Sequence, residues 1–114
     1  MPTTEQTIVL KIAVEFTKTP GPRSRAEGPF SGQMFREDVL ERFFLRARSE
    51  GHRLLVDLDG GYGYATSFLE EAFGWLGAKY GPEAVNRVIE LKSVEEPTLV
   101  DDVRKYISGR KKGY

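Results

Sequence analysis

Cysteine is absent from the 114 residues. That excludes a disulfide framework, an iron–sulfur cluster, a thiolate zinc site and a cysteine nucleophile. A single histidine, His52, excludes a multi-histidine metal site. No charge of one sign dominates, because 17 Lys and Arg balance 17 Asp and Glu. A general nucleic-acid binder carries a basic excess or stripe, so nucleic acid is not an expected partner. No run approaches the roughly 20 apolar residues of a membrane span. The opening Met-Pro-Thr-Thr-Glu-Gln lacks the basic region of a signal peptide. There is no Gly-Lys-Ser/Thr triplet, which excludes a P-loop. What is present is a globular composition, 39% apolar and 30% charged. A chain of this length suits one domain with one core. The expectation is a soluble, cytoplasmic single domain over 1–114, with an ordered core at 7–108, no cofactor and no metal.

Periodicity places the elements. Residues 6–16 alternate, with Ile8, Leu10, Ile12, Val14 and Phe16 on one face, which predicts a strand. A connector over 17–32 carries Pro20, Gly21, Pro22, Gly28, Pro29 and Gly32. Loops beyond about 12–15 residues are functional or disordered in small domains. It reads either as a surface loop or as a binding loop in which Arg23 or Arg25 meets an anion. Residues 33–50 repeat Phe35, Val39, Phe43 and Ala47 at helical spacing, with Ser31 as N-cap and Gly51 beyond the end. The apolar run at 53–59 predicts a strand covered on both faces. After Gly60-Gly61-Tyr62-Gly63-Tyr64-Ala65 comes a helix over 67–80, with a stripe of Leu69, Ala72, Phe73, Leu76 and Tyr80, ended by Gly81-Pro82. Gly74 and Gly77 each cost about 1 kcal/mol relative to Ala in a helix. That predicts a helix backbone lying close against the sheet. A strand at 87–92, a helix at 97–108 and a short basic tail at 110–114 complete the chain. The order β-α-β-α-β-α implies an α/β fold with a mainly parallel sheet.

The stretch from Val56 to Gly74 carries the chemical information. Gly61-Tyr62-Gly63-Tyr64-Ala65-Thr66 begins like a dinucleotide fingerprint but lacks the third glycine. Ser67-Phe68-Leu69-Glu70 fits a capping box, with Ser67 and Glu70 bonding each other's backbone N–H. A third reading is a phosphate switch. A hydroxyl at a helix start, beyond the carboxyl end of a parallel strand, meets free N–H groups and the positive end of the helix dipole. Asp57 and Asp59 alternate on a strand and so face apart, poorly placed as a general acid–base pair. Asp59 suits loop N–H groups, and a Mg²⁺ site from Asp59 and Glu70 is the weaker alternative. Tyr62 and Tyr64 either pack back or anchor an interface. His52 sits at a helix-to-strand corner with no identifiable nucleophile.

Leu55-Val56-Asp57-Leu58-Asp59-Gly60 followed by Thr66-Ser67-Phe68-Leu69-Glu70-Glu71-Ala72-Phe73-Gly74 resembles the STAS-like domain family of unknown function. Pro20-Gly21-Pro22-Arg23-Ser24-Arg25 and Gly28-Pro29-Phe30-Ser31-Gly32 are similar to its N-terminal pattern. The resemblance covers roughly residues 8–105. It implies a STAS-like α/β sandwich, distantly similar to anti-sigma factor antagonists, with no catalysis. It also implies a kinase-type ATPase partner of the histidine-kinase ATP-binding fold. In those antagonists that partner phosphorylates a Ser or Thr opening the helix after a central strand. Thr66 falls at that position and Ser67 one place later. Ala65 replaces the usual acidic residue, Phe68 replaces a glycine, and the loop is longer. The expected contact is the loop at 60–67 with Tyr62, Tyr64, Phe68 and Glu70. Arg23 and Arg25 are anion-binding candidates should the loop at 60–67 and the helix start serve instead as a small-ligand or anion sensor, or as a small enzyme.

Overall fold

The computed structural model describes residues 6–109. Three strands, β1 (Thr7–Lys11), β2 (Arg53–Asp57) and β3 (Ile89–Lys92), form one parallel sheet in the order β1-β2-β3. The register brings Lys11, Asp57 and Lys92 level at the carboxyl ends. Alternation puts Ile8, Leu10, Leu54, Val56, Ile89 and Leu91 on the face that meets the helices. Thr7, Val9, Lys11, Arg53, Leu55, Asp57, Glu90 and Lys92 take the other face.

That second face is not covered by helices as the apolar run at 53–59 suggested. Val9, the neighbour of Leu55 across the ladder, is 54% exposed. Leu55 is shielded only in part, between the Arg53–Glu90 ion pair (3.1 Å) and the Lys11–Asp57 pair (3.3 Å). Long charged side chains shade apolar surface while their heads stay in water.

The first strand is shorter than its alternation implied. Beyond Lys11 there is no further β2 residue to pair with, and the chain coils into α1 (Ile12–Glu15). Positions four apart share a face in both a strand and a helical turn, so Ile12 and Phe16 point inward either way. Val14 does not, and it is exposed.

The helix α2 runs through Gly32–Phe35, a wide π-helical turn at Arg36–Leu40, and Glu41–Glu50. Ser31 caps it, its hydroxyl accepting from Met34 N at 3.0 Å, and Gly51 closes it in the left-handed region, as expected. The helix α3 has the same construction: Thr66–Leu69, a π-helical turn at Glu70–Gly74, then Trp75–Tyr80. The wider turn buries four consecutive residues, Glu71 to Gly74, where a regular stripe would bury two or three. Next come α4 (Pro82–Val88), which occupies the start of the expected third strand, and α5 (Thr98–Gly109). Pro82 in the first turn of α4 supplies a preset φ and no wasted N–H.

Gly77 does mark a close approach, but to α5 rather than to the sheet. A Cβ there would lie 2.0 Å from the carbonyl oxygen of Ile107. Gly32 likewise admits the carbonyl of Phe68, 2.5 Å from where its Cβ would stand. Phe35, Phe44, Phe68 and Phe73 are fully buried and fill the space between helices and sheet. No helix among the described residues is long and apolar enough to cross a membrane. The basic tail expected at 110–114 lies outside the described residues.

Candidate functional site

The carboxyl end of the sheet is where an α/β fold builds sites. Asp57 ends β2 almost buried, 3.3 Å from the Lys11 ammonium and 3.9 Å from that of Lys92. Its Oδ1 accepts from Asp59 N at 2.9 Å, which turns the chain out of the sheet. The side chain of Asp59 then crosses to the loop after β3 and accepts from Val94 N and Glu95 N at 2.9 Å each. Those two N–H bonds hold its carboxyl below the usual range. This is the loop-bracing role expected for Asp59. Gly60 N donates to Glu95 Oε1 at 2.8 Å, and Tyr62 N donates to Lys18 O at 2.9 Å. The loops after all three strands are therefore tied together. Gly60 and Gly63 turn the loop with φ of 94° and 122°, a region favourable only to glycine.

The two loop tyrosines separate. The hydroxyl of Tyr64 donates to Leu58 O at 3.0 Å, and its ring lies 5.9 Å from that of Phe68. Burial raises the pKa of that hydroxyl, so it remains a donor. Tyr62 projects into solvent, 85% exposed.

Ala65, not Ser67, is the N-cap of α3, and no side chain caps it. The expected Ser67–Glu70 capping box is not formed. Ser67 already lies inside the first turn, and Glu70 turns instead to the guanidinium of Arg23. Thr66 is the first helical residue and is exposed, while Ser67 is half-buried.

Phe68 requires a correction as a contact residue. It is fully buried, with its ring 5.7 Å from Phe35 and 6.3 Å from Phe16. A partner cannot reach it in this conformation. Glu70 is engaged at the side of the domain, where Arg23 also reaches Glu71 at 3.4 Å. Arg36 meets Glu71 at 3.3 Å and lies over the Trp75 ring at 5.2 Å, so the two π-helical turns are joined by charge.

Arg23 and Arg25 are both committed to carboxylates. The Glu70 hydrogen bond raises the pKa of Arg23, and the Glu37 bond does the same for Arg25. Arg25 meets Glu37 and Asp38 at 3.0 Å each. The connector that carries them is a hydrogen-bonded loop. Gly21 N donates to Phe30 O at 2.8 Å, and Gly32 N donates to Pro22 O at 2.8 Å. Ser24 and Glu27 form a capping box on the single turn between them.

Between the second and third loops lies a cavity of about 20 Å³, lined by Leu58, Asp59, Gly61, Tyr64, Ser93 and Glu95. That is room for about one water. Asp59 and Glu70 do not converge on a cation, since one braces a loop and the other pairs with Arg23. His52 lies at the opposite end of β2, 3.6 Å from Glu50. Two residues missed in the sequence are exposed at the same end of the sheet as Tyr62, namely Val14 and Val94. Val14 was masked by strand alternation. The signal for Val94 was an apolar residue alone in the polar loop Ser93-Val94-Glu95-Glu96.

These features define a small parallel α/β domain whose loops at one sheet edge form its most elaborated surface. The family model described as a STAS-like domain of unknown function (DUF4325) matches residues 31–99, and the chain belongs to that family. The matched span includes β2, the loop to α3, α3 itself and β3. No curated protein and no solved structure matches the chain.

Proposed function

We propose that the domain is a non-catalytic regulatory module. It binds a protein partner, a kinase-type ATPase of the histidine-kinase ATP-binding fold, and is switched at a hydroxyl opening α3. The observation that carries the reading is the loop at 60–65. It ends on an exposed Thr66, holds Tyr62 out in solvent, and encloses room for only about one water. A surface with an exposed aromatic anchor beside a cavity of about one water suits a macromolecular contact.

Thr66 is the better acceptor because Ser67 is half-buried. The partner transfers the γ-phosphoryl of ATP to Thr66 Oγ1. The Oγ1–phosphorus bond forms, the bond to ADP breaks, and the hydroxyl proton is released. The added charge, about −1.5 to −2, meets free N–H groups of the first turn. One turn on along the same helix face it meets Glu70, whose charge is already paired with Arg23. The same charge alters the surface offered to the partner.

The test incubates the full chain with native lysate and ATP, maps phosphate on the recovered chain, and identifies the co-purifying proteins. The expected result is an ATP-binding partner and phosphate at Thr66, lost in Thr66→Ala. A Thr66→Ala, Ser67→Ala double variant that is regulated like wild type overturns the switch. The absence of any ATP-binding partner overturns the choice of partner.

A further inference from the structure

The three most exposed large apolar side chains among the described residues are Tyr62 (85%), Val94 (72%) and Val14 (70%). A single exposed valine needs no explanation. Val14 stands on α1, which leaves the carboxyl end of β1, and Tyr62 and Val94 stand on the loops that leave the carboxyl ends of β2 and β3. The loops are stitched together by Tyr62 N to Lys18 O, Gly60 N to Glu95 Oε1, and Asp59 to Val94 N and Glu95 N. The apolar trio therefore belongs to one braced surface.

Its charges are one-sided. Glu15, Asp59, Glu95 and Glu96 stand at this edge with Lys18, while Arg23 and Arg25 farther along the connector are paired with carboxylates of α2 and α3. Lys11 and Lys92 are drawn to Asp57 in the sheet behind. The N–H bonds that brace Asp59 also keep it ionised.

We propose that this sheet edge, centred on Tyr62 with Val14 and Val94, docks a protein whose apolar cleft is rimmed by Lys and Arg. The proposal rests on the reading that the domain binds a protein, though not on that protein being a kinase. It moves the contact from Tyr64, Phe68 and Glu70, which are turned inward or engaged, to residues beyond the carboxyl ends of all three strands.

The charge selects the occupant. Nucleic acid, anionic lipid and small anions are repelled by the acidic rim. A second copy docking through the same patch about a two-fold axis would set that rim against itself. A basic-rimmed protein cleft is complementary. The apolar trio then supplies hold, and the rim supplies steering and salt dependence.

The experiment places a photo-crosslinking amino acid at position 62 or, as control, at position 46 on the outer surface of α2, in the full chain. Both variants are irradiated in native lysate. The protein captured from position 62 is identified, purified and titrated against wild type, Tyr62→Ala, Val94→Ser and Glu96→Lys at low and high salt. The expected result is capture from position 62 in excess of position 46. Binding should weaken by about tenfold for Tyr62→Ala, and the Glu96→Lys loss should shrink at high salt. Unchanged melting curves establish that these surface variants fold. Equal capture from both positions, or a purified partner that binds every variant within about twofold, overturns this edge but leaves a protein-binding role standing. Crosslinks only to a second copy also overturn it. If affinity capture with the unmodified chain recovers no partner at all, the protein-binding reading itself has failed.

Discussion

Replacing Gly77 with alanine should destabilise the domain, against the direction helix propensity alone dictates. In an exposed helix, Gly→Ala gains about 1 kcal/mol. Here the new Cβ would stand 2.0 Å from Ile107 O, 2.8 Å from its carbonyl carbon and 3.1 Å from its Cα. All three are backbone atoms of α5, so no rotamer change relieves the clash. The α5 backbone must retreat by about 1 Å to restore the 3.0 Å minimum. Overpacking of this kind costs about 1–3 kcal/mol and sometimes more. Taking the upper end and subtracting the propensity gain leaves a net loss of about 2 kcal/mol. For a domain of this size that corresponds to a Tm lower by roughly 8 °C. Gly74→Ala, one turn earlier, is the control. Its Cβ would meet the end of the flexible Glu70 side chain at 2.5 Å and the Tyr106 carbonyl only at 3.4 Å. The propensity gain of about 1 kcal/mol is offset by displacing Glu70 from Arg23, worth about 1 kcal/mol, so the net effect should be small. Urea and thermal unfolding followed by circular dichroism measure both. A Gly77→Ala protein as stable as wild type, or more so, refutes the close α3–α5 crossing.

Three further outcomes follow from named contacts. Phe68→Ala removes a fully buried ring and should cost about 3–5 kcal/mol, whereas Tyr62→Ala, which truncates an exposed ring, should cost under about 0.5 kcal/mol; paired unfolding curves decide whether the two aromatics have the opposite roles assigned here. Arg23→Ala leaves Glu70 and Glu71 with fewer partners, but the pair is partly exposed, so chemical denaturation should show a loss of about 1 kcal/mol. Asp59 has a lowered folded-state pKa, so its stabilisation is complete above the unfolded value of about 3.9 and disappears as pH falls through the lower folded value. Asp59→Asn should therefore be less stable than wild type at pH 7 and lose less on acidification to pH 2, as read by denaturant midpoints across that range.

The layout was legible because each strand and each long helix carries its own apolar pattern. Ser31, Gly51 and Asp59 were legible because capping, left-handed termination and loop bracing depend on immediate neighbours. The errors have physical sources too. Ile12 and Phe16 are compatible with both a strand and a helical turn, so the end of β1 could not be read from them. The π-helical turns at 36–40 and 70–74 meet across the Arg36–Glu71 pair, whose members lie 35 residues apart in sequence, so no local pattern announces them. The Ser67–Glu70 capping box lost to Arg23, a partner 47 residues from Glu70. Adjacent loop aromatics such as Tyr62 and Tyr64 have the same local character. Only the Leu58 carbonyl and the Phe68 ring, brought together by folding, decide which one turns inward.

On the function proposed above, this domain engages an ATP-binding protein through the loops at the carboxyl edge of its sheet. The most direct test is quantitative affinity capture from native lysate with the full chain as bait, wild type beside Tyr62→Ala, read by mass spectrometry. One kinase-type ATPase should be enriched with wild type and depleted about tenfold with Tyr62→Ala. Equal recovery with both baits, or no ATP-binding protein with either, contradicts it.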